Sequence, residues 1–230
     1  MERDFSYDYL RWLNRIDKIS IRDTKDLDQL QREIIANNDP ALAYFFAIDY
    51  GYQTHRMQKI ILEKKDAKYA FLFAQNISFA DVKALQQVVM ESKSNKYICK
   101  FACFVKNADR KSLETIILKS KSVKNAHMYL KHVKDADVKR FKEIIVKSGK
   151  PMYLFELAKH LTDPKEITEI EDLIIASGSF TYMRLFAEKI KSSNIEKLER
   201  AVLDSDNVEE IKKFAKYVKR SKMKRFFLVL

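Results

Sequence analysis

The chain has 230 residues, 47% of them hydrophobic, with only three glycines and three prolines and a formal net charge of +12. This hydrophobic content excludes general disorder, and the scarcity of turn residues disfavours an all-β fold. The apolar runs are far shorter than the roughly 20 residues of a membrane span, and the charged N-terminus lacks the apolar stretch of a signal peptide, so no membrane association is expected.

The first 40 residues form the least regular part of the predicted helical pattern. The segment YDYLRWLNRI has the apolar spacing of one helix, and KDLDQLQREIIAN that of a second. The longer connection DKISIRD separates them. We name such a first helix A and the helix that follows it helix B.

From residue 41 to residue 230 a two-helix unit recurs with nearly constant length. The first large apolar residue of each helix B returns every 27 to 29 residues, and further apolar residues follow it at the third and fourth positions, which is typical of one buried helix face. Aligned between repeats, these first apolar residues form a column of helix B anchors: Leu30, Met57, Leu85, Leu113, Phe141, Ile170, Leu198 and Phe226.

Polar residues at fixed positions predict where each helix B begins and ends. Asp and Asn dominate the position four residues before the apolar anchor, where they would cap a helix start: Asp26, Gln53, Asp81, Asp109, Asp137, Glu166, Asn194 and Lys222. In the sixth unit Asp163 and Pro164 take over as cap and first helical residue. Serines close the helices, and Gly149 and Gly178 follow two of them, where a left-handed residue is favoured.

Helix A has columns of its own. A large, mostly aromatic residue recurs, followed in most units by alanine, which predicts close packing between successive A helices: Phe46, Phe73, Phe101, Tyr129, Leu157, Phe186 and Phe214. Leu130 replaces the alanine once.

The sequence therefore predicts an all-α chain, an α-solenoid of about eight antiparallel two-helix hairpins in a right-handed stack, forming one elongated domain over residues 1–230. The last helix B, RFFLVL, is a candidate end for self-association.

These columns resemble those of α-solenoid proteins of the HEAT-like class, although HEAT units are longer. The pattern Y-x3-F-A-x2-V followed by D-x3-L-x2-I-I-x2-S is similar to short uncharacterised helical repeats of phage and large-virus proteins. The resemblance implies an architecture and no activity.

The search for catalytic chemistry gives no candidate. Isolated glycines exclude a phosphate-binding loop, and the serine column is explained by capping. A ladder of Cys103, His132 and His160 lacks the convergence of a metal site. We therefore predict no enzyme, no cofactor and no metal. A HEAT-like DNA glycosylase, with aromatic residues and one carboxylate in a basic groove, is the less favoured alternative.

Two columns are candidates for binding. Tyr69, Tyr97, Tyr153 and Tyr182 could stack bases, but such a column more often packs between repeats. Lysines cluster near the turns, and residues 41–150 and 211–230 carry net charges of +12 and +8. Cations are favoured near helix C-termini, which explains the position of individual lysines but not how many lysines there are. The candidate contact residues are Lys93, Lys119, Lys121, Lys124, Lys131, Lys147, Lys150, Lys212, Lys213, Lys216, Lys219 and Arg220.

The leading interpretation is a non-catalytic adaptor or inhibitor that grips a partner protein, one that is acidic or belongs to a host complex that handles nucleic acid. The alternative is non-specific binding to DNA or RNA phosphates, which would depend steeply on salt. Cys99 and Cys103, four residues apart in a helical pattern, suggest a reducing, cytoplasmic location rather than a disulfide framework.

Overall fold

A computed structural model describes residues 5–16 and 24–223. These residues form fifteen helices and no strand, which confirms the all-α prediction. The helices are α1 Phe5–Ile16, α2 Thr24–Asn37, α3 Pro40–Tyr50, α4 Thr54–Lys64, α5 Ala67–Asn76, α6 Val82–Glu91, α7 Asn95–Phe104, α8 Arg110–Lys119, α9 Val123–His132, α10 Val138–Ser148, α11 Pro151–Ala158, α12 Pro164–Ala176, α13 Phe180–Lys189, α14 Ile195–Leu203 and α15 Val208–Tyr217. None of the described helices has the length and apolar character needed to cross a membrane.

The chain divides into two compact units, residues 1–120 and residues 121–230. In unit 1 the hairpins α3–α4, α5–α6 and α7–α8 each pack as a pair, and the A helices α1, α3, α5 and α7 pack in succession. In unit 2 the hairpins are α9–α10, α11–α12 and α13–α14, and the A helices α9, α11, α13 and α15 succeed one another. This consecutive packing is that of a helical repeat. The single elongated domain and the right-handed stack stay predictions.

The predicted columns form the cores of the two units. The helix B anchors Leu30, Met57, Leu85, Leu113, Phe141, Ile170 and Leu198 are all fully buried. The aromatic column of helix A is equally buried, and the alanines beside it let neighbouring helices approach closely. The eighth anchor, Phe226, and the rest of RFFLVL lie outside the described residues, as does the whole of the connection DKISIRD.

Most of the predicted caps are correct. The carboxylates of Asp81, Asp109 and Asp137 accept hydrogen bonds from backbone N–H groups at the starts of α6, α8 and α10. Asp163 caps α12, with Pro164 as its first residue. One expectation is wrong: Asp26 lies inside the first turn of α2, which begins at Thr24. Gln53 occupies the capping position of α4 but makes no side-chain cap bond.

The serine column closes helix B as predicted, and the geometry gives the reason. Each serine hydroxyl donates to the carbonyl three residues earlier, as Ser148 does to Ile145 at 2.6 Å. The same hydroxyl accepts from the N–H two residues later, as Ser148 does from Lys150 at 3.3 Å. One side chain thus satisfies a free carbonyl and a free N–H at the turn from helix B to the next helix A.

Candidate binding surface

All twelve lysine and arginine side chains that the sequence suggested as contact residues are exposed. Ten of them make no hydrogen bond or ion pair with any residue that the structure describes. These ten are Lys93, Lys119, Lys121, Lys124, Lys131, Lys147, Lys150, Lys212, Lys216 and Lys219. Their charge is therefore not neutralised within the described part of the chain.

Lys213 has carboxylate partners on its own helix. Its ammonium lies 2.9 Å from Glu209 and 3.0 Å from Glu210. Hydrogen bonds to these carboxylates raise the pKa of Lys213. Because these two carboxylates of α15 offset its charge, Lys213 is a weaker candidate for contact with a partner than the neighbouring lysines.

Arg220 closes the end of a helix about thirty residues away. Its guanidinium donates to the backbone carbonyls of Ala187 at 2.7 Å, Ile190 at 2.9 Å and Lys191 at 2.8 Å, and to the hydroxyl of Ser193 at 3.1 Å. Ala187 lies in the last turn of α13, and Ile190 and Lys191 follow that helix, where carbonyls lack an intrahelical donor. The side chain therefore has a structural role, which its place in a run of basic residues did not indicate.

Two of the lysines occupy the left-handed position that ends helix B. In every described repeat, the residue that follows the serine column, or the position equivalent to it, has a positive φ. Glycine occupies this position only at residues 149 and 178, as predicted. The column is Asn38, Lys65, Lys93, Lys121, Gly149, Gly178 and Asp206, with φ between 49° and 67°. A lysine is strained in this conformation, where glycine is not. The turn geometry therefore sets the direction of Lys93 and Lys121.

The tyrosine column packs between successive A helices. Tyr97 lies against Phe71 with ring centroids 6.3 Å apart, and Tyr182 lies against Phe155 at 6.0 Å. Tyr69 and Tyr97 are 3% and 9% exposed, while Tyr153 and Tyr182 are half-buried. Rings held in this way do not present open faces for stacked bases, so the packing interpretation of this column is the better one.

Unit 1 contains a cavity of about 690 Å³ beside the N-termini of α3, α5 and α7. Asp8 of α1, fully buried, accepts hydrogen bonds there from Tyr69 at 2.5 Å and Lys68 at 3.0 Å. Burial and the bond to Asp8 raise the pKa of Tyr69. Asp66 caps α5 at the same place. These charged groups are mostly satisfied by one another, and they hold α1 against a helix sixty residues away.

The cysteines and histidines do not converge. Cys99 and Cys103 are buried and form no disulfide bond, with their sulfur atoms 4.0 Å apart. The contact with Cys103 and burial raise the pKa of the Cys99 thiol, which disfavours the reactive thiolate. His132 and His160 are exposed. In the described ranges no three ligating side chains come together as a metal site would require.

A column of glutamine and glutamate was missed by the sequence interpretation. In four repeats the residue after the helix B anchor reaches the next repeat and accepts a hydrogen bond from the backbone N–H 23 residues later. Gln58 does this with Asp81, Gln86 with Asp109, Glu171 with Asn194 and Glu199 with Lys222, at 2.7–2.9 Å. The sequence could have indicated this column, because Gln or Glu directly follows most of the anchors. Lys142 departs from it and instead pairs with Glu166 and Glu169.

One apolar side chain is almost completely exposed. Phe79, in the turn between α5 and α6, is 95% exposed. The corresponding turn residues of later repeats are the polar Asn107, Asp135 and Ser192. Tyr7, Tyr9 and Phe104 are also exposed in unit 1, at 59%, 42% and 39%, but Phe79 is the most exposed aromatic side chain among the described residues, and nothing in the repeat packing requires it.

No family model matches the chain, and no curated protein or solved structure shows significant similarity to it. The resemblance to HEAT-like solenoids and to viral helical repeats stays a prediction from the repeat columns.

Proposed function

We propose that this protein is a non-catalytic helical-repeat binding module that engages a partner protein. The observation that carries the proposal is Phe79, whose ring is 95% exposed on a turn. A large apolar side chain presented in this way is typical of an anchor that fills an apolar pocket of a partner, and aromatic anchors contribute much of the affinity of protein interfaces.

The charge of the module suggests the chemistry of that partner. Ten exposed lysines make no hydrogen bond or ion pair in the part of the chain that the structure describes. Such charges accelerate association with a negatively charged surface and suppress binding to basic proteins. An acidic protein, or a component of a complex that handles nucleic acid, therefore suits the module, which would act as an adaptor or an inhibitor.

Affinity capture from cells of the source organism, with wild-type and Phe79→Ser chains as bait, tests the proposal. Val208→Ser is the matched control, because Val208 is also exposed, at 59%, and lies in unit 2. A true partner should be retained by the wild type and by Val208→Ser and lost with Phe79→Ser.

Calorimetry with the purified partner then measures the contribution of the ring. Burial of a phenylalanine side chain contributes about 1.5–3 kcal/mol, so Phe79→Ser should weaken binding about 10- to 100-fold. Equal affinities of the two variants for every captured protein would contradict the proposal.

A further inference from the structure

Unit 2 concentrates lysine side chains at the starts of two A helices. Lys121 and Lys124 lie on either side of Val123, the first residue of α9. Lys147 lies in the last turn of α10, and Lys150 is the capping residue of α11. All four side chains are exposed, and none bonds to a residue in the described part of the chain. We name these four residues the lysine edge.

The fold brings the two lysine pairs to one side of the unit. α9 and α11 pack against each other, and α10 lies between them in the chain. Because each short turn reverses the chain direction, the N-termini of α9 and α11 lie at the same edge. A helix N-terminus carries a partial positive charge, which adds to that of the lysines. At α11 the capping position holds Lys150, which supplies no side-chain acceptor.

The starts of α9 and α11 contain no acidic residues. Residues 121–125 and 147–151 contain no aspartate or glutamate. The turn before α13 is uncharged, and the turn before α15 contains Asp204 and Asp206. On the opposite edge, Lys134 is followed by Asp135, and Asp163 lies at the start of α12. The turn at residues 218–222 is also basic, but Arg220 bonds to backbone carbonyls there and Lys222 pairs with Glu196. The starts of α9 and α11 instead combine four lysine side chains that have no hydrogen bond or ion pair in the described part of the chain.

We propose that the lysine edge binds the phosphate backbone of duplex nucleic acid without base specificity. Lysine ammonium groups bind phosphates as point charges, and release of condensed counterions drives such binding. Tyr153, in the first turn of α11, is half-buried and packs on His127 at 5.2 Å, so the edge offers no stacking platform for unpaired bases. This activity goes beyond the proposed function, because it needs no protein partner.

Fluorescence anisotropy with the full chain and a mixed-sequence DNA duplex of about 20 base pairs, in salt from about 50 to 200 mM, provides the test. If all four lysines contact phosphates, affinity should fall on the order of a hundredfold over this range. Replacing Lys121, Lys124, Lys147 and Lys150 by glutamine should lower the slope of log affinity against log salt by about 3 to 4.

The matched control replaces four exposed lysines on the opposite edge of unit 2, namely Lys134, Lys139, Lys165 and Lys191, by glutamine. Both variants lose the same charge, so only a local site distinguishes them. The control should keep most of the affinity. Circular dichroism melting checks that both are folded; if the fourfold edge variant is not, Lys124→Gln with Lys147→Gln replaces it.

Three results would overturn the proposal. The wild type could fail to bind duplex at the lowest salt concentration. The edge and control variants could lose affinity equally, which would show a response to net charge alone. Finally, polyglutamate could bind the edge more tightly than duplex at equal charge concentration, which would identify an acidic protein segment as its ligand.

Discussion

The two units make the same hydrogen bond between repeats with different chemical groups. In unit 1 the acceptors are the amide oxygens of Gln58 and Gln86. In unit 2 they are the carboxylates of Glu171 and Glu199. Glu199 also accepts from the hydroxyl of Ser221 at 2.6 Å. The repeat geometry therefore accepts either an amide or a carboxylate oxygen at this position, and it also tolerates Lys142, which makes ion pairs instead.

This difference makes the bond at Glu171 in unit 2 sensitive to pH, whereas the bonds at Gln58 and Gln86 in unit 1 are not. Glu171 is 1% exposed, and burial raises the pKa of its carboxyl above the ordinary glutamate value. A carboxyl with a raised folded-state pKa contributes stability that is present at low pH and lost as pH rises through that pKa. A neutral glutamine acceptor has no such dependence.

The largest expected effect concerns the alanine column of helix A, where unit 2 has Leu130 and unit 1 has Ala102 in the preceding repeat. Leu130 is 4% exposed. Leu130→Ala should lower the free energy of unfolding by about 2–5 kcal/mol, because it leaves a cavity. Urea unfolding measures this, with the volume-conserving Leu130→Met as control. A loss equal to that of the control would show that the site collapses.

The reverse change in unit 1 should overpack the same column. Ala102 is fully buried. Ala102→Leu should cost about 1–3 kcal/mol, because the added atoms force neighbouring side chains and backbone apart. The melting temperature reports the change, and Ala176→Leu, at an exposed position, is the control. An unchanged melting temperature for Ala102→Leu would contradict close contact in this column.

Gln86→Glu would give unit 1 the chemistry of unit 2. Gln86 is 7% exposed and also donates to the carbonyl of Asp109 at 3.4 Å. A carboxylate there buries a charge and loses that bond, so stability at neutral pH should fall by about 1–3 kcal/mol. The loss should shrink in acid, where the carboxyl is protonated. Gln75→Glu, at an exposed position, is the control, and a pH-independent loss would contradict the explanation.

Glu171→Gln makes the opposite exchange. The amide keeps the acceptor for the Asn194 N–H and removes the buried charge, so unit 2 should gain about 1 kcal/mol at neutral pH. In the wild type, the stability of unit 2 should fall as pH rises through the raised pKa of Glu171, and in Glu171→Gln this fall should be absent. Hydrogen exchange of the Asn194 amide, measured across pH, tests both points. Glu143→Gln, which is exposed, should leave that exchange unchanged.

The smallest expected effect concerns the left-handed position after helix B. Unit 1 has Lys93 there, with φ 55°, while unit 2 has Gly149, with φ 61°. Lys93→Gly should raise stability by about 0.5–1 kcal/mol, because relief of strain exceeds the added entropy of the unfolded chain. Gly149→Lys should lower it by a similar amount. No atom lies within 4 Å of a Cβ built at Gly149, so any loss would come from the backbone. Thermal unfolding measures both, and changes of the same sign would contradict the argument.

The helices, their order and their caps could be predicted from the sequence, because they follow from local spacing. Apolar residues at the third and fourth positions define a buried face wherever they occur, and Asp81, Asp109 and Asp137 satisfy N–H groups two or three residues away. The recurrence of these local patterns determined the repeat. The candidate surface was predictable only as a set of basic residues.

Only the tertiary structure decided which of those charges are unpaired and which polar groups couple the repeats. Arg220 has its acceptors 27–33 residues away, and Asp8 binds side chains 60 and 61 residues away. The direction of a side chain between two packed helices depends on their relative placement, which no local pattern contains. For the same reason, the sequence shows Gln86 and Glu171 directly after their anchors but does not show which groups they bind. Their partners, the backbone N–H groups of Asp109 and Asn194, are defined only by the packing of successive hairpins.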